Sequence, residues 1–169
     1  MNLSEKYEFR SIRAEEADQA VEIEQICFPP EQAISAEDIR ERVNKIPDMF
    51  LVAVERKTGK LAGYLTGLAT DEREFQDRFF TDAGLNDPHG KNNMLLGLEV
   101  LPEHRGQGLA RELMTRYLAR EKERGRKKAV LTCVDSKVGM YERMGFQYAG
   151  ISASVLGNEK WNEMEYVFS

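Results

Sequence analysis

The chain has 169 residues, with 24 Lys and Arg against 29 Asp and Glu, for a formal net charge of −5. Hydrophobic residues make up 41% and charged residues 31%, a globular composition that excludes a disordered or collagen-like chain. At about 150 residues per domain, the length predicts one domain over residues 1–169. An acidic surface repels phosphate polymers, so nucleic acid is not an expected partner. No apolar run approaches the ~18 residues of a membrane span and the N-terminus lacks an apolar leader segment, so the expectation is a cytoplasmic protein with no membrane partner. Cys27 and Cys133 form no C-x-x-C pair, and with His89 and His104 they make no zinc spacing. Reduced thiols and no metal are expected.

Tyr7 to Ile12 reads as a short strand. Ala14 to Cys27 reads as a helix whose stripe is Ala17, Ala20, Val21, Ile23 and Ile26. Phe28-Pro29-Pro30 ends it, because proline lacks an N–H and disfavours helix in the residue before it. Ser35 is placed to cap a second helix running to Asn44. Met49 to Arg56 and Leu61 to Leu68 flank Lys57-Thr58-Gly59-Lys60, a hairpin signature. A polar stretch from Thr70 to Asn93 holds a short helix around Phe75 to Phe80. Met94 to Leu101 is a near-continuous apolar run, as in a strand covered on both faces. A helix over Leu109 to Arg124, a strand over Ala129 to Val134, a helix over Lys137 to Met144 and strands at Phe146 to Ala149 and Glu163 to Phe168 complete a mixed α/β order.

Between strand and helix lies Leu101-Pro102-Glu103-His104-Arg105-Gly106-Gln107-Gly108-Leu109-Ala110. Two glycines before a helix leave unpaired N–H groups at the positive end of its dipole, a geometry suited to a pyrophosphate, though a plain glycine turn reads equally well. From His104 to Lys128 nine Lys or Arg face three Glu, which fits either a solvated helix face or a small anionic ligand. The P-loop pattern fails, since Leu61 follows Gly59-Lys60 and Asn92 follows Gly90-Lys91. The dinucleotide fingerprint needs a small residue where Arg111 stands.

Arg105, Gly108 and Ala110 meet the pattern Arg/Gln-x-x-Gly-x-Gly/Ala, and Tyr141 to Phe146 meet Tyr-x-x-x-Gly-Phe after a strand ending at Asp135. With these motifs in this order, the sequence resembles the GNAT superfamily of acetyl-CoA-dependent N-acetyltransferases from about Phe9 to Phe168. Phe28-Pro29-Pro30, Asp71-Glu72, Tyr141 to Phe146 and Glu163-Met164 look closest to its arylalkylamine (serotonin) N-acetyltransferase branch. The resemblance implies an α/β fold: a mixed, mostly antiparallel central sheet flanked by helices, with a V-shaped split between two parallel strands. It implies acetyl-CoA as cosubstrate, held by Leu98, Glu99 and Val100 along the central strand and by Arg105, Gly106, Gln107, Gly108, Leu109, Ala110 and Arg111 in the loop. The basic groups near Arg105, Lys127 and Lys128 are candidates for its 3′-phosphate.

Attack on the thioester requires an amine freed of a proton, whose pKa is about 10, and a donor for the thiolate, whose pKa is about 8.5. By resemblance Tyr141 is the acid. The branch's two base histidines fall on Met94 and Leu96, which take no proton. Period-two alternation puts Glu99 on the face opposite Met94, Leu96, Leu98 and Val100. His89, Asp135 and Asp71-Glu72 are the remaining candidates for a relay, and a chain of water is an alternative. Phe28, Phe50, Tyr64 and Met94 are candidates for an apolar acceptor pocket. The expected reaction is acetyl transfer to a primary amine of a small (aryl)alkylamine type, by a monomer or homodimer. A peptide or protein amine as acceptor, and a non-catalytic acyl-CoA-binding module, are the alternatives.

Overall fold

The computed structural model describes residues 2–169. A single turn of helix, α1 (Leu3–Lys6), precedes strand β1 (Tyr7–Arg10), which is shorter than the sequence suggests. A 3-10 turn at Ala14–Glu16 leads into α2 (Ala17–Cys27). The Ser35 hydroxyl accepts the Asp38 N–H and caps α3 (Ala36–Lys45) as expected. The hairpin forms from β2 (Phe50–Glu55) and β3 (Leu61–Thr70). The polar stretch contains a four-residue helix, α4 (Arg78–Thr81), and a 3-10 turn at Ala83–Leu85 before β4 (Asn92–Val100). Then come α5 (Leu109–Glu123), β5 (Lys128–Cys133), α6 (Val138–Arg143), β6 (Gln147–Ile151) and β7 (Asn162–Val167). No helix among the described residues is long and apolar enough to cross a membrane.

The strands form one sheet in the order β1-β2-β3-β4-β5-β7-β6, antiparallel except for the β4–β5 pair. Each face is covered by helices, which explains why β3 is buried along its whole length. On one face α2 and α3 pack Ala20, Ile23, Ile39 and Val43 over Val52, Tyr64, Leu68 and Met94. On the other, α5 lays Leu109, Leu113, Met114 and Tyr117 over Ala53, Leu65, Leu95 and Leu131. Each large aliphatic side chain buried this way contributes on the order of 2 kcal/mol.

The stripe expected on α2 needs one correction. Ile26 is 49% exposed, whereas Glu24 is 4% exposed. At 3.6 residues per turn, Ala20, Glu24 and Cys27 lie four and then three apart and share the inward face, and Ile26 lies off it. The polar neighbours of Glu24, described below, are what make this position tolerable for a carboxylate.

Candidate active site

β4 and β5 pair only at their beginnings, through Asn92 with Lys128, Asn93 with Ala129 and Met94 with Val130. Beyond those residues the strands part, and the fork between them holds a cavity of about 290 Å³. β4 also carries a bulge. Thr66 of β3 faces Gly97 and Gly67 faces Leu95, so Leu96 has no partner. The extra residue reverses the alternation along β4. Before it, Met94 and Leu96 face α2; after it, Leu98 and Val100 face α5. Glu99 sits opposite Tyr64 and shares its face, toward α2. Strict alternation therefore misplaces Glu99, which lies on the same side as Met94 and Leu96.

The main chain of β4 is sided in the same way. Leu101 donates its N–H to the Ala62 carbonyl at 2.9 Å, so residues of that parity address β3. Leu98 and Val100 turn their backbone groups into the fork, and Glu99 turns its own toward β3. The Val100 carbonyl is already engaged, accepting from Arg105 Nε at 2.8 Å and from the Cys27 thiol at 3.6 Å.

In the loop that follows, Gly106 and Gly108 have φ of +80° and +85°, left-handed values that favour glycine. A Cβ at either would meet no atom within 4 Å, so the ligand side of the loop is open. Gly108 is the N-cap of α5 and provides no side-chain cap. The N–H groups of Leu109, Ala110 and Arg111 therefore have no partner within the helix. The Gln107 side chain points away, donating to the Tyr7 hydroxyl at 2.7 Å and the His104 carbonyl at 2.8 Å while accepting from Lys6. Leu109 is buried in the core. Arg111 reaches across to donate to the Arg143 carbonyl of α6 at 3.1 Å. Lys127 and Lys128 lie beyond the far end of α5, about 22 Å away at 1.5 Å per residue. They do not join Arg105 in one phosphate cluster, and Lys128 pairs with Glu165.

The cavity is mostly apolar. Phe28 lines it as expected, but Phe50, Tyr64 and Met94 are packed beneath it in the core. The additional lining comes from Ile34, Phe80, Leu156 and Trp161, spread over four segments. Gly157 packs against Gln32 and the Glu31 main chain, so the β6–β7 loop meets the α2–α3 loop over the cavity. Tyr141 of α6 and Glu24 of α2 both face the cavity. Burial, followed by the nearby Cys133 and Glu99 charges, raises the Tyr141 phenol, so it stays neutral at physiological pH.

The other candidate proton acceptors lie elsewhere. His89 is exposed in the turn before β4, at the opposite end of that strand from the fork. The Asp71 carboxylate accepts the Lys91 N–H, and Glu72 pairs with Arg78 in the open. The hydrogen bond from Asn162 holds the exposed Asp135 carboxyl below its usual range, assisted by Lys160. What does line the cavity is the buried Glu24 carboxyl, with Glu99 packed behind it. Glu24 Oε2 accepts the Ile34 N–H at 3.0 Å, and Tyr64 donates to Oε1 at 3.4 Å. Glu99, 3% exposed, lies against both. Burial, and then the Glu24 charge, push its carboxyl well above the ordinary carboxylate range. The available signal for Glu24 was its spacing on α2; for Glu99 there was none without the bulge.

A split parallel pair, a strand edge open to a ligand and a glycine-lined helix start meet around this cavity. The sequence matches the acetyltransferase (GNAT) family over residues 14–146. The chain belongs to that family and is an acetyl-CoA-dependent N-acetyltransferase. It is similar to serotonin N-acetyltransferase from Mesocricetus auratus, 28% identical over 162 residues, covering 94% of this chain and 76% of that protein. Serotonin N-acetyltransferase from Pan troglodytes is 27% identical over 164 residues, covering 93% and 75%. Among solved structures, the loading GNATL domain of CurA from Lyngbya majuscula superposes with a TM-score of 0.82 at 16% identity, covering 95% of this chain and 97% of that one. The GphF GNAT-like decarboxylase in complex with isobutyryl-CoA gives 0.81 at 20% identity, covering 95% and 98%. These two share the fold.

Proposed function

We propose that the chain, acting as one acetyltransferase unit over residues 1–169, acetylates the primary amine of a small, apolar (aryl)alkylamine. The observation that carries this reading is the cavity itself. Aromatic and aliphatic side chains from Phe28, Ile34, Phe80, Leu156 and Trp161 surround one carboxyl, that of Glu24, while the exposed Lys137 lies at the α6 side of the cavity. Such a lining favours a hydrophobic body bearing one cationic group. The meeting of Gly157 with Gln32 and Glu31 narrows the approach, which suits a small molecule better than an extended peptide. The similarity to serotonin N-acetyltransferases points the same way.

Acetyl-CoA supplies the activated thioester, and the residues present fit it. The backbone groups of Leu98 and the Val100 N–H address the pantetheine arm, and the N–H groups from Gly106 to Arg111 address the pyrophosphate. Arg105 acts from behind, fixing the end of β4 through the Val100 carbonyl. Tyr141 gives its phenolic proton to the departing sulfur. The test is CoA release with a panel of arylalkylamines, polyamines, amino acids and peptide N-termini. Turnover confined to arylalkylamines supports the reading; turnover confined to peptides, or none above hydrolysis with any amine, refutes it.

A further inference from the structure

The glycine loop before α5 is anchored from outside the fork, by the strand at the edge of the sheet, β1. Among the described residues, the main-chain N–H groups of Gly106, Gln107 and Gly108 have no hydrogen-bond partner. Two glycines give this stretch wide backbone freedom, so its course must be fixed by something else. Gln107, which lies between them, does this with its side chain. Its amide nitrogen donates to the Tyr7 hydroxyl at 2.7 Å and to the His104 carbonyl at 2.8 Å. Its amide oxygen accepts from Lys6 at 3.1 Å. Tyr7, the first residue of β1, is 0% exposed, and its hydroxyl also meets His104 Nδ1 at 2.6 Å. The protons of this cluster have one consistent arrangement. Lys6 only donates and the His104 carbonyl only accepts, which turns the Gln107 nitrogen toward Tyr7. The Tyr7 oxygen therefore accepts from Gln107, and its own proton goes to His104 Nδ1. The His104 ring then carries its proton on Nε2.

We propose that Tyr7 is a positioning residue for acetyl-CoA: through Gln107 and His104 it holds the glycine loop in the form that receives the pyrophosphate. This rests on the reading that the N–H groups from Gly106 to Arg111 hold that group. The role is one of preorganisation. A loop already in its binding form loses little freedom when the ligand arrives, and affinity falls with the fraction of molecules that leave that form. Tyr7 is not among the residues that line the cavity, so it touches neither the thioester nor the acceptor. Its ring is packed independently of its hydroxyl, with the Lys6 ammonium 5.5 Å above the ring centre and the His104 ring edge-on at 5.5 Å. Phenylalanine at this position keeps those contacts and loses only the link to the loop.

The experiment measures Kd by calorimetry for acetyl-CoA and for S-acetylpantetheine, which has the same thioester and no pyrophosphate. It compares wild type with Tyr7→Phe, Gln107→Ala and the double variant. Loss of the anchoring hydrogen bond should weaken acetyl-CoA about 10-fold in Tyr7→Phe and leave S-acetylpantetheine unchanged. The double variant should bind acetyl-CoA no more weakly than Gln107→Ala alone, because both changes cut the same link. A merely structural role would weaken both ligands alike, and that result overturns the proposal. Nitrogen NMR of labelled histidine in mildly alkaline buffer reads the network without any variant. The chain has 2 His, and His104 should show its proton on Nε2. A proton on Nδ1 overturns the proposal even where a variant fails to fold. Equal binding of the two ligands by wild type removes the loop reading and this role together. Where wild type prefers acetyl-CoA and Tyr7→Phe keeps that preference in full, the loop reading stands and the role of Tyr7 falls.

Discussion

Tyr141→Phe removes one oxygen from the cavity wall and disturbs little else. Burial and the charges of Cys133 and Glu99 act on the hydroxyl, and no hydrogen bond contributes to its shift. Its loss therefore leaves no buried partner unsatisfied, and the ring keeps its edge contact with Phe146 at 5.9 Å. Stability should change by less than about 0.5 kcal/mol. The catalytic loss is much larger. General-acid catalysis contributes about 10²- to 10⁴-fold, or about 2.7–5.5 kcal/mol at 1.36 kcal/mol per decade. A phenol raised above its ordinary pKa of about 10 gives its proton to a thiolate of about 8.5 against the gradient, which favours the lower part of that range. We expect kcat to fall about 100-fold, measured as CoA release at saturating acetyl-CoA and amine, with acetyl-CoA Kd unchanged by calorimetry. A variant within about threefold of wild type would refute the acid role. A loss confined to acetyl-CoA affinity would make Tyr141 a binding residue instead.

Three further outcomes follow from the geometry. Gly108→Ala meets no steric obstacle but must hold φ near +85°, so it should cost about 1–2 kcal/mol in urea unfolding and raise the acetyl-CoA KM several-fold at constant kcat; an unchanged KM would detach the loop from the cofactor. Burial raises the Glu16 carboxyl, but its hydrogen bonds with Arg10 and the Arg13 N–H outweigh that and leave it below the usual range. Its stabilisation is thus present at neutral pH and lost as pH falls through the folded-state value. Glu16→Gln should flatten the acid side of the stability profile by at most about 1.4 kcal/mol per pH unit, one proton's worth, and an unaltered slope would refute this. Glu121→Gln leaves Arg126, 5% exposed, without its buried counter-ion and should cost about 3–5 kcal/mol by the same unfolding assay, a loss under 1 kcal/mol being the contrary result.

Most strands and helices were legible because apolar spacing is a local signal. Helix α5 begins at Leu109 and the hairpin turns at Gly59, as the sequence reads. Two misreadings share a cause. On α2 apolar periodicity points Ile26 inward and leaves Glu24 out, because hydrophobicity alone does not register a carboxyl whose donors, Ile34 N–H and Tyr64, come from other segments. On β4 simple alternation runs straight through Leu96, because a bulge is a property of two strands and leaves no mark on one. Both differences fall on buried carboxyls, Glu24 and Glu99, which carry no local signal, while Tyr141 lies within a recognisable motif. The acceptor pocket escaped for a related reason. Phe50, Tyr64 and Met94 are apolar and central, but the cavity is closed by Phe80, Leu156 and Trp161, which only the tertiary fold brings near Phe28.

The basic segment from His104 to Lys128 presents two alternatives, a solvated face or an anion site; Arg105, Arg111, Arg116 and Arg124 are exposed, and most of its arginines also hold main-chain carbonyls. Arg105 donates to the Val100 carbonyl, Arg111 to Arg143, Arg120 to Phe50, Arg124 to Asp48, and Arg126 to Pro88 and Gly90. A guanidinium has five donors and no acceptor, which suits it to carbonyls left over at strand and helix ends. These side chains tie α5 to the loops around it. In the proposed binding mode, a pyrophosphate near Gly106 to Arg111 would rely chiefly on main-chain N–H groups and on the helix dipole, about half a positive charge at that end. Such donors are fixed by the fold. The net charge of −5 is spread over the surface and is screened beyond about 8 Å at physiological salt, so it does not cancel a local field made of backbone. An acidic protein can in this way hold a polyanionic cosubstrate without devoting its arginines to the task.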